Sequence, residues 1–273
     1  SGNLLDDQGI IRSTSSRRAG ARVNLQQQLR PELLASVTAN YVNTRNQLQA
    51  FGEQNEYGIM GSLFFAPTNV NFAPVNGVYP LPPALGTNPL LAIARIRNPQ
   101  QIDRFVGSAK FTYTPAPSVL LDYTAGVDNT GFQQDQFIPR AAVLGTAPLS
   151  TGQSQSVFQG TRVINQDGVA SYSWPKFGVG GVAAELRTTG GVNYTSQLVR
   201  YTRALSNGLA PVGELVDAGS VFTAGQRSTE LRTLGFYAQQ EAAFADRLFL
   251  TAAVRWDASS TFAPSERWQA FPK

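Results

Sequence analysis

Two pairs of carboxylates in this chain have the residue types for acid and base work. Asp122 with Asp128, and Glu241 with Asp257, supply the two carboxyl groups that glycoside hydrolysis needs at a set separation. Each lies on the polar side of an alternating segment, where a water-filled interior also wants charge, so none is assigned a catalytic role. The stretch GVGGVAA, from Gly178 to Ala184, spells the loose dinucleotide pattern G-x-G-x-x-A. Pyrophosphate binding requires such glycines to end a strand and open a helix. Here the residues that follow keep a period of two through Tyr194 and continue as a strand. INQDG (Ile164 to Gly168) and VDNTG (Val127 to Gly131) read as turns, because the spacing of a calcium loop is missing. NYT at Asn193 is a sequon in spelling, placed inside a predicted strand.

With neither histidine nor cysteine, the chain has no imidazole base, no thiolate nucleophile, no disulfide and none of the usual ligand sets for zinc or non-haem iron. The reading is of a protein that is not an enzyme, with no catalytic residue, no metal and no cofactor. Substrate-contacting residues are not identifiable from type and spacing. The cysteine count leaves the compartment open.

The elements that position these residues must be inferred from composition and period. Charged residues make up 15% of the chain, against roughly 25% in an ordinary soluble domain, while the apolar share of 42% is ordinary. Something other than charge must therefore face the surroundings. The net charge of +4 gathers into no basic block, so no nucleic-acid partner is expected. The opening SGNLL carries no recognisable signal peptide, and no apolar run approaches the length of a transmembrane helix. Neither observation excludes a β-barrel, whose strands signal far more weakly.

The informative period is two. Val119, Leu121, Tyr123, Ala125 and Val127 alternate with Leu120, Asp122, Thr124, Gly126 and Asp128. Before a turn at Pro115-Ala116-Pro117, Phe105, Gly107, Ala109, Phe111 and Tyr113 alternate with Arg104, Val106, Ser108, Lys110 and Thr112. Ala19, Ala21, Val23 and Leu25 oppose Arg18, Gly20, Arg22 and Asn24; a turn at Arg30-Pro31-Glu32 leads to Leu33, Ala35, Val37, Ala39 and Tyr41, opposed by Ser36, Thr38 and Asn40. Leu234, Phe236 and Ala238 alternate with Gly235, Tyr237, Gln239 and Glu241. After a turn near Ala245-Asp246, Leu248, Leu250, Ala252, Val254 and Trp256 alternate with Thr251, Arg255 and Asp257. A weaker pair runs from about Arg162 to Trp174, turns through Pro175 to Gly178, and returns with Val182, Ala184, Leu186, Val192 and Tyr194 against Glu185, Arg187, Thr189 and Asn193.

The expectation is an all-β, antiparallel chain of about eight strands in four hairpins. Connections within hairpins are short, whereas those between hairpins are long, from about Thr44 to Gln101, Asn129 to Gln159 and Arg203 to Thr229. A soluble sandwich has no reason to sort its loops by length. A transmembrane barrel does, with short periplasmic turns and long external loops. Tyr41, Tyr113, Phe244 and Trp256 suit interfacial girdles of such a barrel, or the core of a sandwich. In the longest loop, Phe51, Tyr57, Phe64, Phe65, Phe72 and Tyr79 stand among Pro67, Pro74, Pro80, Pro82, Pro83 and Pro89, which argues for folded structure over disorder. NPLLAIARIRN reads as a short helix after Asn88, with Pro89 first and Leu90, Leu91, Ile93 and Ala94 as its apolar face. The loop serves either as an external lid or ligand surface, or simply packs on itself over the barrel mouth.

The last forty residues are the most specific. A strand, a short turn containing Asp246-Arg247-Leu248, a strand ending Arg255-Trp256-Asp257-Ala258-Ser259-Ser260-Thr261-Phe262, and then Arg267-Trp268 and Phe271-Pro272 resemble a signature region of SusC/RagA-type TonB-dependent outer-membrane transporters. Ala258 departs from the commoner glycine. GIIRSTSSRRAGARVNLQQQL and the NPLLAI loop are similar to the family less specifically. The resemblance implies a plugged barrel of 22 strands, located in the outer membrane of a Gram-negative cell. Its implied role is to import bulky nutrients such as glycans, oligosaccharides or peptides. It implies outer-membrane lipids, a SusD-like lipoprotein lid, TonB and a nutrient ligand as partners, with the TonB contact outside residues 1–273.

Residues 1–273 are then expected to be a partial barrel domain without plug or terminal strands, with Lys273 marking a cut. An open slice of barrel leaves unpaired edges, so the isolated chain is expected to aggregate or fail to insert. Stable insertion with heat-modifiable gel migration would favour instead a complete small outer-membrane barrel with an adhesive or structural role. A monomeric, detergent-free preparation would favour a secreted carbohydrate-binding β-sandwich.

Overall fold

The computed structural model describes residues 1–49, 58–64, 66–81, 86–144, 149–179, 182–245 and 247–272. Its elements in chain order are β1 (Gly2–Gln8), β2 (Ser15–Arg30), β3 (Leu33–Leu48), α1 (Ile59–Phe64), β4 (Gly86–Thr87), α2 (Pro89–Arg95), β5 (Asn98–Ala116), β6 (Val119–Ile138), β7 (Val143–Leu144), β8 (Gln153–Ser173), β9 (Phe177–Val179), β10 (Val182–Asn207), β11 (Val221–Phe244), β12 (Leu248–Ser259) and β13 (Trp268–Pro272). One antiparallel sheet of 11 strands runs β1-β2-β3-β5-β6-β8-β10-β11-β12-β13, with β9 paired to β10. The expected count of about eight is corrected. Alternation found the long strands and missed β1, β9 and β13, which are too short to show a period.

The long strands share a single sheet, so among the described residues there is no second layer for a sandwich. Nor does the sheet close on itself. Beyond its pairing with Ser15–Ala21, β1 leaves the rest of β2 open, and Val23, Leu25 and Leu29 are exposed along that edge.

The four long hairpins are β2–β3, β5–β6, β8–β10 and β11–β12. The turn of the β8–β10 hairpin departs from expectation. Residues 177–179 form β9, which pairs Phe177 with Ala184 and Gly178 with Ala183. Gly178 therefore lies in a β-strand and not at a helix N-terminus; Gly180 and Gly181 lie outside the described residues, as does Asp246 between β11 and β12. INQDG and VDNTG, expected as turns, lie inside β8 and β6.

Register puts the expected apolar residues on one face. Tyr41 opposes Phe105, Leu121 opposes Tyr113, Val192 opposes Phe236, and Phe236 opposes Trp256. Each of the long strands runs for about ten residues or more with outward side chains that carry no charge, the length a tilted strand needs to cross a hydrocarbon layer. Polar side chains in this zone satisfy one another. Trp174 Nε1 donates to Thr188 Oγ1 at 2.9 Å, Thr188 in turn donates to Gln240 at 2.7 Å, and Tyr123 donates to Gln166 at 3.2 Å. That closure of polar groups is what an apolar medium requires.

The strands outrun this zone. At about 3.3 Å per residue, the 26-residue β10 runs roughly 85 Å along its axis. Segments expected as loop, such as Asn129–Ile138 and Val221–Thr229, are strand. Only the ends nearest the short turns carry the apolar face.

Candidate functional site

The inward face is built by the other half of the alternation. Asp128 accepts two hydrogen bonds from Arg104, at 3.1 and 2.6 Å. Asp122 accepts from Thr112 at 2.5 Å and lies 3.4 Å from Lys110. Asp167 accepts from Asn193 at 2.5 Å, and Glu241 accepts from Gln239 at 2.8 Å. Arg18 and Arg22 line a shallow groove with Thr38, Asn40 and Arg104.

The carboxylate pairs singled out for acid and base chemistry are not brought together. Asp122 and Asp128 are six positions apart on one strand, roughly 20 Å at strand rise. Glu241 opposes Thr251, six positions from Asp257, so that pair is about equally distant. Both separations far exceed the carboxyl spacing of either glycosidase geometry. Among the described residues no group of acidic side chains is placed to hold a metal ion.

The C-terminal signature acquires a physical reason. Arg255 and Asp257 sit two apart and so share the inward face. Arg255 Nε donates to both oxygens of Asp257, at 2.7 and 2.8 Å. The pair lies over Gly235, which opposes Asp257; a Cβ there would come within 2.3 Å of the Asp257 carboxylate. The signature therefore includes a glycine on the preceding strand that the motif itself does not spell. Ser260 fastens the end of β12 to β11, accepting from the Arg232 amide through its hydroxyl and donating its own amide to the Arg232 carbonyl, both at 2.9 Å. Ser259 shares a 2.9 Å hydroxyl contact with Thr261. Trp268 stacks on Phe236 with ring centroids 6.0 Å apart. β12 continues past Asp257 to Ser259, and after a turn the chain returns as β13, a strand the sequence did not signal. Phe262, Arg267 and Phe271 are exposed; Lys273 lies outside the described residues.

The best-buried apolar cluster lies at the loop end of the sheet, where the long connections meet Ile138, the last residue of β6. Ile59, Leu91, Ala92, Ile96, Ile138 and Ala142 pack together, with Tyr79, Leu81 and Ile93 against them. Asn88 organises it. Its side-chain oxygen accepts from the Leu90 and Leu91 amides at 2.8 and 3.3 Å, capping α2 as expected. Its amide nitrogen donates to the Phe72 and Pro80 carbonyls, both at 2.8 Å. The buried side of α2 is Leu91, Ala92 and, just beyond the helix, Ile96, whereas Leu90 and Ala94 are exposed, a correction to the expected face. Phe51, Tyr57, Phe65, Pro82 and Pro83 of this loop lie outside the described residues.

The three long connections are joined to one another. β4 pairs with β7, and Thr87 donates to the Ala142 carbonyl. Arg97 stacks over Phe137 at 5.2 Å and forms an ion pair with Glu214. Arg140 donates to the Leu209 carbonyl at 2.6 Å. No sequence signal pointed to these contacts, because each joins residues far apart in the chain with no periodic relation. Just above the uncharged zone on the outward face, Glu230 accepts from Arg232 at 2.8 Å. That hydrogen bond, aided by the charges of Arg232 and Arg162, holds the Glu230 carboxyl below its ordinary value.

Residues 17–273 match the family described as TonB dependent receptor-like, beta-barrel. The RagAB peptide transporter superposes with a TM-score of 0.78 at 18% identity, over 98% of this chain and 31% of that one. The open-open state of the RagAB peptide importer gives 0.78 at 19%, over 98% and 30%. This chain thus spans about a third of their length, and at this identity the likeness is one of fold. No protein of curated function matches the sequence.

Proposed function

This chain belongs to the TonB-dependent receptor-like β-barrel family, an outer-membrane transporter family and not an enzyme family, and we propose that it forms part of the wall of a transporter importing bulky nutrients. Peptides or oligosaccharides are the proposed cargo; peptides come first because RagAB is a peptide importer. The single observation that carries the reading is the division of the sheet. Outward side chains are uncharged over a membrane-length zone, while inward ones present the ion pairs of Arg104, Lys110 and Arg255. The joined loops at the far end form the proposed seat for a SusD-like lipoprotein and the entering nutrient, and TonB would supply energy through a part of the protein outside residues 1–273.

The open edges of β2 and β13 fit a larger barrel, since unpaired backbone groups are not tolerated in lipid. The test is uptake of labelled peptides and oligosaccharides by cells with and without the transporter gene, each with and without a protonophore. Gene-dependent uptake of either ligand that the protonophore abolishes is expected. Uptake of both ligands that ignores the gene would overturn the proposal.

A further inference from the structure

On β8, β10 and β11 the outward face changes character abruptly at the loop-side end of its uncharged zone. Up to Ile164, Tyr194 and Leu234 it carries no charge; the next outward positions bring Arg162, Ser196 and Arg232, and then Glu230 and, past Leu198, Arg200. Register gathers these onto one patch. Arg162 opposes Leu198, whose next outward neighbour is Arg200; Leu198 also opposes Glu230, and Ser196 opposes Arg232. Residues diagonal across paired strands lie within reach of long side chains. All three arginines are exposed. Glu230 is engaged by Arg232 and by the Ser196 hydroxyl at 3.3 Å. Of the three, only Arg232 is ion-paired with Glu230 among the described residues; Arg162 acts on that carboxylate at longer range, and Arg200 faces Ser228 and Gly160.

Three guanidiniums against one carboxylate leave the patch with an excess of positive charge and unused donor forks. Planar guanidinium forks match phosphate oxygens in pairs. The patch begins where the apolar zone ends, at the depth where a barrel meets headgroups, and basic residues at that depth attract anionic lipid. We infer that Arg162, Arg200 and Arg232 bind the phosphate of an anionic lipid headgroup in the outer leaflet, an assignment that rests on the outward zone being embedded in the outer membrane. Tyr194, at the rim of the apolar zone, marks the boundary from which the lipid's chains would descend along the wall. A lipid held there is fixed at both ends, and the site is thereby distinguished from one for free phosphate.

The experiment uses the full-length transporter extracted from its membrane in mild detergent, with retained phosphorylated lipid counted by native mass spectrometry. Replacing all three arginines by glutamine is expected to lower retained lipid roughly tenfold or more. The Arg-to-Lys triple variant and an inward control, Arg18→Gln with Arg22→Gln, are expected to retain it. Millimolar inorganic phosphate is expected to leave the lipid bound. Undiminished lipid in the glutamine variant would overturn the site, and displacement by inorganic phosphate would overturn the lipid as its occupant. Should the triple variant lose heat-modifiable migration, Arg200→Gln alone is judged by the same criterion. Wild-type transporter absent from the outer membrane would overturn the membrane reading itself. Unchanged lipid in variants that reach that membrane would overturn only the headgroup site.

Discussion

Leu121→Arg or Leu250→Arg, introduced into the full-length transporter, is expected to destabilise it by about 2–4 kcal/mol where these positions face the bilayer midplane, whereas Thr124→Arg or Thr251→Arg is expected to cost under about 1 kcal/mol. Leu121 and Leu250 lie within the uncharged outward zone, and both are exposed. Leu121 opposes Tyr113 and Ala170, and Leu250 opposes Ala242, so an arginine at either place meets no carboxylate. Its charge would have to leave water for lipid without compensation. Thr124 opposes Lys110 and Asp167 on the inward face, and Thr251 opposes Glu241, so a new guanidinium there has water and a carboxylate at hand. Urea midpoints read by loss of heat-modifiable migration measure the difference. Equal tolerance at both sets of positions would contradict the lipid-facing assignment.

The second large effect is expected at Asn88, a fully buried residue. Asn88→Ala removes the cap of α2, worth about 1 kcal/mol, and takes the donor from the carbonyls of half-buried Phe72 and Pro80, about 1 kcal/mol each. The sum, on the order of 3 kcal/mol, falls on one loop cluster and not on the sheet. Hydrogen exchange at the amides of Leu91, Ala92 and Ile96 is expected to quicken by two orders of magnitude or so, while exchange in β6 and β10 stays unchanged. Unaltered protection at α2 would show that the cluster is not organised by this side chain.

How much of this was legible depends on what each face touches. Alternation is strong where one side is apolar, so Leu33–Tyr41, Phe105–Tyr113, Val119–Val127 and Leu248–Trp256 read as strand directly. Past that zone both faces meet polar surroundings and the period vanishes. Asn129–Ile138, with its glutamines and aspartate, looks like loop yet pairs residue by residue with Gln153–Arg162. VDNTG and INQDG misled for a related reason. Asn, Asp and Gly favour turns in isolation, but here Asp128 and Asp167 are held in strands by Arg104 and Asn193 across the inward face. Helix α2 was legible because an Asn-Pro start states its cap locally. The bond of Arg97 to Glu214 was not, since nothing near either residue names the other.

The central claim is that the two faces of these strands see lipid and water, respectively. The chain contains no cysteine, so single cysteines can be placed in turn at positions 119 to 127 of β6 in the full-length transporter, provided that the rest of the protein is cysteine-free or made so. Each is labelled with an environment-sensitive fluorophore and exposed to lipid-borne and water-borne quenchers. Lipid-borne quenching is predicted at the odd positions and water-borne quenching at the even ones, alternating through the segment. Quenching by the aqueous reagent at every position, with no alternation, would contradict it.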